Sequence, residues 1–109
     1  MADFDTIDKI QTYLEDEFAM DQEEIDEMVE ILLESIQEQI AGLKTAIQSG
    51  NTEDISKIGH AVKGAASNIG AVYISEIGKN FENPEINSDS GKCTEEVEKL
   101  QEAINLLKN

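Results

Sequence analysis

The chain has no tryptophan, no arginine, one cysteine, one proline and one histidine among its 109 residues. With only three Phe and two Tyr, its core has to be built from Ile, Leu, Val, Met and Ala. The lone Cys93 excludes an internal disulfide and a CxxC-type zinc site. No apolar run approaches the roughly 18 residues needed to cross a bilayer. The start, Met1 to Asp5, has neither the basic residues nor the apolar run of a secretory signal. Positive charge is scarce as well: eight lysines stand against 24 acids, for a formal charge of −16. A phosphate polymer or an anionic membrane would be repelled, which argues against nucleic-acid and membrane binding, whereas basic partner surfaces would be attracted. These absences describe a cytoplasmic protein, expected to be a monomer.

What is present is helical periodicity in one domain, 1–109, whose 39% of apolar residues suffices for a small core. Phe4, Ile7, Ile10, Leu14 and Phe18 recur at three- and four-residue spacing and predict a short first helix, with Asp3 or Asp5 as its N-cap. Asp21 with Glu24 forms a capping-box pattern that opens a long helix over about 22–49, marked by Ile25, Met28, Leu32, Ile36, Ile40, Leu43 and Ile47 and stopped by Gly50. Thr52 then caps a helix over about 53–69, with Glu53 and Asp54 in its first turn, where the helix dipole favours acids. Gly70 marks its end or a tight corner. Ile74, Ile77 and Phe81 define a further helix that stops before Pro84, Asn83 to Gly91 reads as the longest loop, and Val97, Leu100, Ile104 and Leu107 define the last helix. No run alternates with period two. The expected fold is all-α: an antiparallel up-down-up-down four-helix bundle with a short extra N-terminal helix. Thirteen acids and one lysine between Asp3 and Glu34 read as a solvated acidic face.

The single histidine lies in a stretch without acids, from Asp54 to Glu76. Advancing about 100° per residue, Ile55, Ile58, Val62, Ala65, Ala66 and Ile69 fall within roughly 80° of Ile55, while His60 falls near 140°. His60 therefore points away from the core. Its neighbours at helical spacing are Ser56, Lys57, Lys63, Gly64 and Ser67, so a lysine flanks the ring on each side and no carboxylate is near in the helix. An exposed glycine inside a helix costs about 1 kcal/mol relative to Ala. Gly64 returns that cost as clearance beside the imidazole, whereas Gly42 and Gly59 read as tolerated helix glycines.

An exposed imidazole with an ordinary pKa of about 6.5 is largely neutral near pH 7 and keeps a nitrogen lone pair. Flanking lysines disfavour its protonation and would pair with an anion placed on the ring. These are the requirements of a phosphoryl group held on histidine. A metal site would need more His, Cys or carboxylates than this face offers, so none is expected. A Ser-His-Asp arrangement would need an orienting acid beside the ring. Gly59-x4-Gly64 has Ala65 and Ala66 where a P-loop requires Lys and Ser/Thr, and there is no ATP-binding signature, so the phosphate has to come from a partner.

His60, Val62, Lys63, Gly64, Ala65, Ala66, Ile69, Gly70 and Ala71, at this spacing, resemble the signature of histidine-containing phosphotransfer (HPt) domains of multistep phosphorelays. The resemblance runs from about Asp21 to Leu107 and includes Ile74, Ile77, Gly78 and Phe81 of the following helix. It implies a four-helix bundle with an extra N-terminal helix, and a phosphate shuttle. His60 would take a phosphoryl group from an aspartyl phosphate on one response-regulator receiver domain, such as that of a hybrid histidine kinase, and pass it to another. Lys63 would neutralise the phosphate and Gly64 would leave it room. Mg²⁺ would sit on the receiver, with no cofactor on this chain. Some family members carry a Gln near the histidine where this chain has Glu82, a carboxylate that would either accept a bond from the imidazole's other nitrogen or repel the phosphate; Glu82, Ser67 and Lys57 are candidate helpers. The competing readings are a non-catalytic acidic adaptor, which has no use for His60 with Lys63, and the phospho-accepting domain of a chemotaxis-type histidine kinase.

Overall fold

The computed structural model describes residues 4–108. Helix α1 (Ile7–Phe18) begins at Thr6, whose hydroxyl accepts the Lys9 N–H at 3.1 Å, and ends at Ala19 in the left-handed region. Of the two caps expected there, Asp3 lies outside the described residues and Asp5 is used elsewhere in the fold. Helix α2 (Gln22–Ser49) opens on the anticipated capping box: Asp21 accepts the Glu24 N–H at 2.9 Å, and Glu24 accepts the Asp21 N–H at 3.1 Å. It closes on Gly50 at φ +65°, a conformation glycine adopts without a Cβ penalty. At 1.5 Å per residue its 28 residues span about 42 Å, which is the 42 Å long dimension of the molecule.

Helix α3 (Thr52–Asn68) starts one residue earlier than expected. Asn51, not Thr52, is its cap and accepts the Asp54 N–H at 3.1 Å. Asn51 directly follows the left-handed Gly50 and already has non-helical backbone, which leaves Thr52 as the first helical residue. Helix α4 (Val72–Asn80) follows the tight corner at Gly70, φ +73°, where the ring of Tyr13 covers the backbone so closely that an added Cβ would lie 2.5 Å from its Cγ. The segment from Asn83 to Gly91 is not a loop. Pro84 sits at the first position of a one-turn helix, α5 (Pro84–Asn87), where its missing N–H is no loss, and Asp89 caps α6 (Ser90–Leu107) through the Lys92 N–H at 3.1 Å. The Asn and Asp that suggest a loop are two successive N-caps.

Helices α2, α3, α4 and α6 each pack on the next, and α6 closes against both α4 and α2, so the chain is an all-helical bundle with no strand among the described residues. Most of the predicted stripes form its core: Ile36, Leu43, Val62, Ile74, Phe81 and Leu100 are fully buried, whereas Phe18, the last residue of α1, is exposed. Burial of such side chains contributes about 1.5–3 kcal/mol each and is the main stabilising term. Asn80 at the end of α4 donates to the buried Glu96 carboxylate on α6 at 2.8 Å, and Lys99 pairs with the other oxygen at 2.8 Å. This polar tie fixes the height of α4 against α6.

Ala71, the residue before α4, has no capping side chain. Asp5 supplies the missing acceptor from across the fold, taking the Tyr73 N–H at 3.0 Å and the Ile74 N–H at 2.8 Å, while Phe4 packs edge-on against the Tyr73 ring. Burial pushes the Asp5 carboxyl above its ordinary pKa, an effect opposed by these two N–H groups. Loss of a cap costs about 1–2 kcal/mol, and in a domain this small each kcal/mol lowers Tm by about 4–8 °C. Asp5→Ala should therefore melt several degrees below wild type by circular dichroism; an unchanged Tm would show that α4 has no need of the carboxylate.

Candidate functional site

The site is built where α3 and α4 approach at backbone distance. Gly59 is buried, contrary to its reading as a tolerated helix glycine: a Cβ there would lie 2.5 Å from the Phe81 Cβ and 2.6 Å from the Gly78 carbonyl oxygen. Gly78 faces it, with Lys63 N and Gly59 O at 2.6 and 2.7 Å from an added Cβ. Two glycines let the helices touch without intervening side chains, and Phe81, fully buried, anchors the end of α4 at the same level. The residue after Phe81 is Glu82. The close crossing delivers its carboxylate to the outer face of α3.

On that face His60 is exposed, its side chain 70% accessible, as the helical angle requires. Lys63, one turn on, is 34% accessible, and around Gly64 there is open space, nothing lying within 4 Å of an added Cβ. Glu82 contacts both functional groups: Oε1 is 3.0 Å from Lys63 Nζ and Oε2 is 3.4 Å from His60 Nδ1. The Lys63 hydrogen bond holds the Glu82 carboxyl below the usual carboxylate range; partial burial opposes this, and the Lys63 charge and the His60 contact add to it. The carboxylate is therefore ionised at neutral pH. The stretch from Asp54 to Glu76 is free of acids along the chain but not in space, because Glu82 is brought in by α4.

The other two candidate helpers are placed differently. Lys57 does not flank the imidazole with a free charge: its ammonium pairs with Glu53, one turn back, at 3.3 Å, and both side chains are widely exposed. Such a pair is worth little in stability. Ser67 shares a hydrogen bond with the Ser75 hydroxyl of α4 at 2.8 Å, and Ser75 donates to the Lys63 carbonyl at 3.4 Å. Ser67 thus belongs to the α3–α4 seam, and lies about 10 Å from His60 along the helix axis. No cluster of three or more His, Cys, Asp or Glu able to hold a metal occurs among the described residues. Cys93 is buried, with Sγ 3.1 Å from the Ile86 carbonyl. No helix among the described residues is long and apolar enough to cross a membrane.

Gly59 is the residue whose part was not readable beforehand, and Glu82 was readable only through the family resemblance. Gly59 carries a weak signal, at about 40° on the helical wheel, just beyond the edge of the apolar arc. Glu82 carries none in its own neighbourhood, since its partners are 19 and 22 residues away in sequence.

The exposed histidine, with a lysine one turn on and open space over the neighbouring glycine, can present its imidazole to another molecule. The Hpt domain family matches residues 27–109, well over half of the chain, and the chain belongs to that family. Its work is phosphotransfer in phosphorelay signalling, and domains of this kind interact with receiver domains and histidine kinases. The matched region contains α3, α4, α5, α6 and most of α2, but not α1. Neither the curated proteins nor the solved structures yield a match.

Proposed function

We propose that this chain is a phosphorelay intermediate that accepts a phosphoryl group on His60 from the aspartyl phosphate of one receiver domain and passes it to an aspartate on another. The observation that carries the reading is the exposure of His60 on the face away from the core, with the Lys63 ammonium one turn away and open space over Gly64. The ring is accessible to a second protein, and Lys63 lies where it can pair with the phosphoryl oxygens. The Mg²⁺ that assists such transfers would be held by the receiver, with this chain supplying nucleophile, counter-charge and clearance.

The test is to mix the full chain with a receiver domain charged by radiolabelled acetyl phosphate. The expected product is label on this chain that is lost in acid and retained in base, as a phosphohistidine behaves. A chain that takes no label from any receiver of its own genome is not a relay intermediate.

Lys63→Ala removes the cation from the reacting group and leaves Glu82 Oε1 without its cation, with Oε2 still on His60. Loss of one stabilising donor of this kind lowers rates by about 10²–10³-fold. Single-turnover uptake of label should fall into the low end of that range, because a second cation can approach an exposed site. The melting temperature should fall by no more than a few degrees: the Lys63 side chain is half-buried and the Glu82 oxygen it pairs with is buried, so the loss is that of one ion pair. An uptake rate equal to wild type would remove Lys63 from the mechanism.

A further inference from the structure

We propose that the groove between α2 and α6 is a docking site separate from the His60 face, and that it takes an amphipathic helix of a partner protein whose apolar stripe is edged with lysine or arginine. The proposal does not depend on the phosphorelay reading.

The seam between α2 and α6 changes character along its length. Toward the end of α6 it is bridged by side chains: the Gln37 and Gln101 amides bond each other at 3.2 and 3.4 Å, and Lys108 donates to Gln37 at 3.3 Å. Toward the start of α6 a groove of about 350 Å³ opens instead, lined by Lys44, Ile47 and Gln48 of α2 and by Thr94, Val97 and Glu98 of α6. Ile47 and Val97 are its apolar lining, and Ile47 is only partly buried by the chain's own core. The Thr94 hydroxyl is already committed to the Ser90 carbonyl at 2.8 Å. Sites that hold ligands enclose about 300–1,000 Å³. A groove at the lower end of that range suits two apolar anchors one turn apart on a bound helix.

The rims identify the kind of helix. Glu98 stands on the α6 side, with Glu95 three residues before it and Glu102 four after, so three exposed carboxylates share one edge. None of them is in an ion pair among the described residues, and neither is Lys44 on the opposite rim. Lysines or arginines along one edge of a bound helix would answer the carboxylates, and an acid on its other edge would answer Lys44. A second copy of this chain is a poor occupant, because two molecules of charge −16 repel each other.

The position of the groove gives it a use. Around the bundle α2, α3, α4 and α6 each pack on the next and α6 closes on α2, so the groove lies diagonally across from the α3–α4 seam that carries His60. A partner held there leaves the imidazole open. It also keeps the chain at high local concentration beside whatever else that partner carries.

The probe is a synthetic helical peptide with leucines at i, i+3, i+4 and i+7, lysines along one edge and a glutamate on the other, titrated into the ¹⁵N-labelled full chain. A scrambled peptide of the same composition is the control. Amides of Lys44, Gln48, Thr94 and Glu98 should shift, those around His60 should not, and the scrambled peptide should bind much more weakly. Glu98→Lys changes an exposed residue and should leave the fold intact while weakening the peptide by about threefold to fivefold, the scale of an exposed ion pair. Shifts confined to the acid-rich segment 3–34, equal affinity for the scrambled peptide, or unchanged affinity in Glu98→Lys would each overturn the proposal. Sedimentation showing a dimer that excludes the peptide would give the groove to a second copy and overturn it as well. Phosphoryl uptake from a charged receiver should proceed at the same rate with the peptide bound, and a block would place the peptide on the wrong face. If uptake is absent with and without peptide, the relay reading falls and the groove stands.

Discussion

His60→Gln should leave the bundle folded and abolish phosphoryl uptake altogether. The fold should survive because the ring is largely outside the core: its side chain is 70% accessible, and its polar contact among the described residues is the Glu82 carboxylate. Surface substitutions of this kind change stability by within about 0.5 kcal/mol, so the melting curves should nearly superimpose. Uptake should vanish because the chain has no second imidazole. The neighbouring Lys63 Nζ is paired with the Glu82 carboxylate, and a lysine ammonium has no lone pair to offer. Receiver-dependent labelling of the variant at the wild-type level would place the phosphoryl group on another residue and end the proposed role of His60.

Gly59→Leu should destabilise the bundle strongly. An added Cβ alone comes within 2.5 Å of the Phe81 Cβ and 2.6 Å of the Gly78 carbonyl. Backbone oxygen cannot rotate away as a side chain can, so α3 and α4 have to part. Overpacking of this kind costs about 1–3 kcal/mol, occasionally more, against a helix-propensity gain of about 1 kcal/mol on leaving glycine. A leucine at a backbone crossing belongs at the upper end, and Tm should fall by roughly 10 °C or more. Two comparisons isolate the cause. At Gly64 an added Cβ meets nothing within 4 Å, so Gly64→Ala should hold or raise the melting temperature. At Gly42 the Cβ meets only the tip of Ile58 at 3.2 Å, which can shift. If Gly59→Leu melts like Gly64→Ala, the close crossing is not present in solution. The folded fraction of Gly59→Leu should also show slower transfer, since parting α3 from α4 withdraws Glu82 from His60 and Lys63.

The elements that sequence specified well are those fixed by local periodicity. The stripe from Ile25 to Ile47 marks α2 from end to end, the capping box at Asp21 and Glu24 is formed, and His60, placed outward by its spacing, is exposed. Partners chosen by tertiary structure were not legible. Asp5 is a suitable cap for its own helix, yet it is used by α4, 68 and 69 residues along the chain, because Ala71 offers that helix no acceptor. Asn51 and Thr52 are both good caps, and the left-handed turn at Gly50 selects the first. Pro84 stops one helix and opens another, and the first half of that signal is the one a local rule detects. The functional face follows the same division: His60, Lys63 and Gly64 share one helix and are read together, whereas Glu82 joins them only because two glycines permit the crossing.

The N-terminal segment shows that similarity and folding draw different boundaries on this chain. The family match begins at residue 27, beyond all of α1. Yet the carboxylate that completes the first turn of α4 comes from Asp5, and the ring that seals the corner at Gly70 comes from Tyr13. A chain trimmed to the matched residues would keep its histidine, lysine and glycine but would start α4, the helix that leads to Glu82, with two unsatisfied N–H groups. The segment before the matched residues therefore stabilises the bundle from as far back as Asp5.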